Sequence, residues 1–205
     1  MLYVLAAWTG LRRNELGSLT PRSLALDGSP PTVTVAAAYS KRKRQDVQVL
    51  HGDVVSRLRA WLKTKRWLTP DDLLFPVAKN GKGGADRKTS KMMRVDLAAA
   101  RTAWLDEAPN DVERARREAT DFLLYVDACG RYADFHATRH TFITNLEKAG
   151  VSPRLAQTLA RHSDIRLTMS VYTHVGLADV TGAVEALGGI GGHGECVDRG
   201  PKRGA

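Results

Sequence analysis

Cysteine is nearly missing: Cys129 and Cys196 are the two in 205 residues. They are too few, and too unlike in context, for a disulfide framework or a thiolate metal site. Long apolar runs are missing too. No stretch approaches the about 18 residues that cross a bilayer, and the opening MLYVLAAW lacks the basic start of a secretion signal. The expectation is a cytoplasmic chain with no membrane partner. Acidic charge is in short supply, 22 Asp+Glu against 31 Lys+Arg for a formal net charge of +9. That excess favours a polyanion such as double-stranded DNA, although charge alone leaves a merely basic protein equally open. No phosphate-cradling loop is present either. The stretch NGKGG at 80–84 lacks the full spacing and the closing Lys-Ser/Thr, so no nucleotide cofactor is expected.

What is present reads as one mainly helical α+β domain over residues 1–187, with a glycine-rich basic tail at 188–205 that reads as disordered. Residues 2–8 are apolar and helical, Gly10 breaks that helix, and Asn14 begins another that buries Leu16 and Leu19. The alternation at 32–36 and again at 46–50 predicts a small antiparallel hairpin at one edge of the domain. Its tip, 39–45, carries Lys41, Arg42, Lys43 and Arg44. A packing helix with a basic back follows at 52–65, burying Val54, Leu58, Trp61 and Leu62. After a connector at 70–76 comes a long helix at 87–107, with Met93, Leu97, Ala100 and Trp104 spaced for burial. A charged helix at 111–120 and a short strand at 122–126, turning at Gly130, lead to His136. There a helix begins that buries Phe142, Ile143 and Leu146 and ends at Gly150. Ser152 and Pro153 open the next as N-cap and first-turn proline, packed by Leu155, Ala156 and Leu159. A last short helix is expected at 179–187.

The chemistry concentrates in 136–175. Two imidazoles (His136 and His162), a guanidinium (Arg139) and a phenol (Tyr172) fall within one short span. With an ordinary pKa near 10, a phenol attacks only where a base takes its proton and positive charge gathers on the group attacked. Phosphate is the target this implies. Upstream, Arg12 and Glu15 sit in TGLRRNEL; taken alone they read as a surface ion pair one helical turn apart.

The box HATRHTF, a small residue and His ahead of a helix, the late YTH, and the TGLRxxEL segment together resemble the catalytic domain of the tyrosine recombinase (phage integrase) family. The resemblance covers roughly residues 9–175. It implies that family's fold and strand cleavage without metal, cofactor or ATP. Tyr172 would attack the scissile phosphate to give a 3′-phosphotyrosyl link, with Arg12 and Arg139 clamping the non-bridging oxygens. His136 would take the phenolic proton or hydrogen-bond the phosphate, His162 would donate a further hydrogen bond, and Glu15 would orient the arginines. The hairpin would enter the DNA minor groove. Counting back nine residues from Leu50 makes Lys41 the general acid on the 5′-oxygen, with Lys43 the runner-up and Arg42, Lys43 and Arg44 on DNA. A full-length member implies a homotetramer on DNA.

Some features depart from the pattern. Arg161 stands where the family more often has glycine, and ten residues rather than the frequent nine separate His162 from Tyr172. The family's N-terminal helical domain is missing from this sequence, which implies a fragment or a mobile-element remnant. Other readings explain less. His136 and His140 have the spacing of a zinc pair but enclose Arg139 and no glutamate base, so no metal is expected and His140 is assigned to the core. A helix-turn-helix binder over 152–172 leaves Arg12, Lys41, His136 and Arg139 unexplained. A type IB topoisomerase would share the residues while relaxing supercoils as a monomer.

Overall fold

The computed structural model describes residues 1–40, 43–78 and 88–172. In chain order the elements are α1 (Leu2–Thr9), α2 (Arg13–Gly17), a turn of 3-10 helix (Pro21–Ser23), β1 (Leu24–Ala25), β2 (Thr32–Val35), β3 (Asp46–Val49), α3 (Gly52–Lys63), α4 (Thr89–Asp106), α5 (Asp111–Glu118), α6 (Ala137–Lys148), α7 (Pro153–Ala160) and α8 (Arg166–Tyr172). This is the expected α+β class, mainly helical with a small antiparallel sheet ordered β1-β2-β3. The turn-rich stretch before Pro31 adds a strand the pattern did not announce: Leu24 and Ala25 pair with Val33 and Thr32. Two residues are too short for alternation to show.

Leucine builds the main core. Leu5, Leu11, Leu16, Leu19 and Leu58 are essentially fully buried, together with Val33, Val35 and Val54 from the sheet and α3. Each contributes about 1.5–3 kcal/mol of transfer free energy, which anchors α1 and α2 under the segment joining them. That junction turns on Gly10, whose φ of 59° lets its N–H bond back to the Ala6 carbonyl at 2.9 Å. A Cβ at Gly10 would fall 2.5 Å from the Phe142 ring, so the absent side chain is also what lets α6 lie against the end of α1. α2 starts at Arg13 rather than at Asn14, because the Glu15 carboxylate accepts the Arg12 N–H at 2.7 Å and caps the helix one residue earlier.

A second cluster holds the C-terminal helices, with Phe142, Ile143 and Ala160 buried and Leu146, Leu159, Val171 and Tyr172 packed around them. α6 ends as expected. Gly150 takes φ 70°, and the N–H groups of Gly150 and Val151 return to the carbonyls of Glu147 and Leu146. α7 opens on Ser152 and Pro153 as read, but its buried face is Ala156 and Ala160 while Leu155 is 52% exposed. The small pair lets α7 approach α6 closely.

Three further expectations are corrected. α4 buries none of its residues fully: Met93, Leu97 and Trp104 are half-covered and Ala100 is exposed. Trp104 packs its edge on Phe122 and carries the Arg117 guanidinium over its ring, so α4 and α5 form a satellite rather than a core layer. Residues 122–126 are not a strand. Arg101 draws the carbonyls of Glu118, Thr120 and Phe122 onto one guanidinium and Leu123 takes φ 63°, leaving a single bridge between Val126 and Tyr132. His140 is exposed, not in the core, because α6 buries Thr138, Arg139, Phe142 and Ile143 instead. The tip residues Lys41 and Arg42, the loop at 80–84, the helix expected at 179–187 and the tail at 188–205 lie outside the described residues. Among the described residues no helix is long and apolar enough to cross a membrane.

Candidate active site

Glu15 is the centre of the arrangement. Only 1% exposed, its carboxylate accepts the Arg12 backbone N–H at 2.7 Å, the Arg12 Nη1 at 3.1 Å and the Arg161 Nη2 at 3.3 Å. A carboxylate so deep in the protein is tolerated because each oxygen has charged or backbone donors. Arg12 keeps about a quarter of its side chain exposed.

Arg139 reaches the same place from α6, buried to 3% exposure. Its Nη1 donates to the Gly10 carbonyl at 2.5 Å and its Nη2 to the Ala160 carbonyl. Those two carbonyls end α1 and α7, so one guanidinium caps the negative ends of two helices. That is a structural role in itself, and it uses two of the five N–H groups an arginine carries. Burial first, then Arg12 and Arg161, push the Arg139 pKa down to about 9, so the group remains charged at neutral pH.

Arg161 was not among the residues singled out from the sequence as functional. It is 5% exposed, donates to the Gln48 Oε1 at 3.0 Å and the Gly10 carbonyl at 3.2 Å, and sits in the left-handed region at φ 54°. Three guanidinium groups therefore gather around the Gly10–Arg12 turn: Arg12 and Arg161 bond the Glu15 carboxylate, and Arg139 and Arg161 bond the Gly10 carbonyl. The available signal was an arginine at the position that stops α7, where glycine is the ordinary choice.

The imidazoles border this charge. His162 follows Arg161 directly, and its Nδ1 lies 3.0 Å from the Oγ1 of the buried Thr168. Burial first, then Arg139 and Arg12, depress its pKa to about 4, so it is neutral near pH 7. When the Thr168 hydroxyl donates to Nδ1, the ring proton sits on Nε2 and is the one left to donate. His136 is depressed as well, by burial and by His140, whose ring stands edge-on to it at 5.4 Å.

A cleft of about 260 Å³ is lined by Arg12, Arg13, Ser90, Asp134, His136 and Arg139 among others, whereas Arg161 and His162 line a separate opening of about 720 Å³ with Arg44, Gln48 and Arg154. Beside the first cleft, a further opening of about 440 Å³ runs from Arg12 and His136 to Tyr39 and Ser40 at the base of the hairpin tip. Asp46 closes that base, accepting from Ser40 Oγ at 2.7 Å and facing Arg44 at 3.5 Å. Lys43 and Arg44 are exposed on the tip. Lys41 and Arg42 lie outside the described residues, so the choice between Lys41 and Lys43 stays where the sequence left it.

Tyr172 is not gathered with the arginines. Its hydroxyl donates to the Val151 carbonyl at 2.9 Å, just past the end of α6, and its ring joins the Phe142–Ile143 cluster. Burial and the nearby Glu147 raise its pKa, the reverse of what a nucleophile needs.

The phage integrase family matches residues 1–178. A tyrosine recombinase XerC-like protein of Caldanaerobacter subterraneus subsp. tengcongensis is 27% identical over 198 residues, which cover 91% of this chain and 48% of that one. The chain thus spans about half the length of the curated relative it matches. Among solved structures, the Tn1549 transposon integrase in complex with circular intermediate DNA aligns at a TM-score of 0.58 with 20% identity, over 91% of this chain and 58% of that one. XerA recombinase aligns at 0.53 with 20% identity, over 88% and 53%. XerH recombinase in a post-cleavage complex with palindromic difH substrate aligns at 0.53 with 20% identity, over 90% and 44%.

Proposed function

The chain belongs to the phage integrase family, and from that premise we propose that it breaks and rejoins DNA strands at a specific site through a 3′-phosphotyrosyl intermediate. The observation that carries the reading is the gathering of Arg12, Arg139 and Arg161 around the Gly10 carbonyl and the buried Glu15 carboxylate, with Arg12 and Arg139 lining an open cleft. Positive charge gathered at a partly desolvated cleft attracts an anion, and a phosphodiester whose charge grows in the transition state fits it better than a static one.

The residues divide the work as follows. Arg12 and Arg139 hold the non-bridging oxygens with the N–H groups not engaged by Glu15, Gly10 and Ala160. The Tyr172 oxygen attacks phosphorus, forming the phosphotyrosyl bond while the bond to the 5′-oxygen breaks. His136 takes the phenolic proton, Lys41 gives one to the departing 5′-oxygen, and neutral His162 donates a hydrogen bond to the phosphate. The ester keeps the energy of the broken bond, so a 5′-hydroxyl from another strand reverses the step without ATP. For Tyr172 to attack, its hydroxyl has to leave the Val151 carbonyl, so α8 moves before chemistry. The domain proposed to do this is 1–187, with 188–205 as an appended tail, working on duplex DNA as a homotetramer in the full-length protein.

A second reading, a DNA-binding remnant without catalysis, is favoured by that same Tyr172–Val151 bond. One experiment separates the two. Incubate the protein with a pool of nicked duplexes of randomised core, so that cleavage traps a covalent complex, and recover adducts that survive denaturation. The recombinase reading expects adducts with wild type and none with Tyr172→Phe; retention of duplex without any adduct selects the remnant, and equal adducts from both forms remove Tyr172 from the mechanism.

A further inference from the structure

We infer that Arg161 is a positioning residue, a brace tying the arginine pair of the site to strand β3 of the hairpin. The inference rests on the functional reading above and adds a residue to it.

The backbone at 161 does not call for an arginine. The bonds that stop α7, Arg161 N–H to Thr158 and His162 N–H to Gln157, both at 3.0 Å, are made by main chain alone. At φ 54° and ψ 40° glycine would sit without the strain a Cβ introduces. The side chain must therefore be what repays the strained backbone. Its contacts name the task. Nη2 reaches the Glu15 Oε2, which also takes the Arg12 N–H, and the Gly10 carbonyl, which also takes the Arg139 Nη1. One guanidinium thus touches an acceptor belonging to each member of the pair. Nη1 goes the other way, to the Oε1 of Gln48, itself buried and paired opposite Val33.

Gln48 stands on the strand that follows the exposed tip residues Lys43 and Arg44. A hairpin seated on DNA therefore shares one rigid connection with the two groups that would hold the phosphate. Lysine does not replace this, since an ammonium cannot span three acceptors in a plane. The side chain is only 5% exposed and acts through Glu15 and Gly10, so its loss is expected to slow the chemical step more than it weakens DNA binding.

The test uses three variants of the full chain, Arg161→Gly, Arg161→Lys and Gln48→Leu, with a nicked duplex recovered from the wild-type selection. Single-turnover adduct formation is measured at saturating DNA, duplex affinity is measured separately, and the Arg12 side-chain Nε–H signal is followed by NMR. Arg161→Gly should slow adduct formation by about 10- to 100-fold, the scale of a misplaced catalytic group. Affinity should change by no more than about threefold, since one buried cation is lost among many surface ones. Arg161→Lys should stay slow, and guanidinium ion added to Arg161→Gly should restore part of the rate. The Arg12 signal should merge with those of exposed arginines. Wild-type rate in Arg161→Gly with an unchanged Arg12 signal overturns the brace. Should wild type form no adduct at all, the functional reading falls, and the Arg12 signal alone decides for or against the brace. Should Arg161→Gly fail to fold, Gln48→Leu carries the test: a severalfold slower rate at unchanged affinity supports the inference, and an unchanged rate refutes it.

Discussion

Replacing Glu15 by glutamine changes one oxygen to nitrogen and removes the carboxylate charge that Arg12 and Arg161 share. The geometry sets the size of the effect. Arg161 is 6% and Glu15 2% exposed by side chain, so that pair is fully desolvated, whereas Arg12 at 26% is partly hydrated. Removing one partner of a buried ion pair costs about 3–5 kcal/mol. The hydration of Arg12 places this case at the lower end, about 3 kcal/mol. Glutamine's amide also turns a donor toward one of the guanidinium groups, so reorientation recovers little. With a urea dependence of about 2 kcal/mol/M, the unfolding midpoint should fall by about 1.5 M, followed by circular dichroism. Sulfate should recover part of the loss by occupying the cationic cleft, about 1.4 kcal/mol at roughly tenfold excess over its Kd. Affinity for duplex should not fall, because the site has become more positive. A midpoint within about 0.3 M of wild type would show that Glu15 does not balance the arginines.

Arg12→Ala or Arg139→Ala should lower adduct formation by roughly 10²-fold or more while duplex affinity drops much less, measured by denaturing gel and filter binding; equal losses in both assays would remove the clamp. His162 titrates near 4 in the folded protein against an ordinary 6.5, so the unfolded chain binds a proton that the folded one refuses. Stability should therefore decline as pH falls from 6.5 toward 4, while a phosphate beside the ring raises its pKa in the complex and DNA affinity should rise over the same window. His162→Gln should flatten both trends in thermal melts and binding isotherms. Gly10→Ala combines a left-handed φ with a methyl driven into Phe142, and should destabilise by about 2–4 kcal/mol in urea melts; a neutral result would mean that α1 and α6 do not pack this closely.

Local signals in the sequence carried their elements well. Gly10 and Gly150 stop helices because a left-handed residue is a local demand, and Ser152-Pro153 starts one for equally local reasons. The alternation in TVTV and DVQV placed β2 and β3. The misses share a cause, dependence on a distant partner. Leu155 and Ala160 share one amphipathic helix, and the face that turns inward is decided by how closely α6 approaches, which favoured the small residues. Met93 and Leu97 have the spacing of a buried face, but only half of that face is covered. Arg161 is the sharpest instance. An arginine after a short helix reads as solvent-facing, and the acceptors that bury it, Gln48, Gly10 and Glu15, lie more than a hundred residues upstream. Arg12, Glu15, His136, Arg139 and His162 stood out in the sequence by their motifs, yet the bond holding the Tyr172 hydroxyl to Val151 did not, because it depends on the placement of α8.

The Gly10 carbonyl accepts from Arg139, 129 residues away, and from Arg161, 151 residues away. Contacts of such separation close late, since loop-closure entropy is spent before they return anything. A chain leaving the ribosome carries Arg12 and Glu15 long before α6 and α7 exist to complete the set. Throughout translation, then, the growing polypeptide holds one half of the arginine–glutamate cluster, which is complete only when the last helices dock.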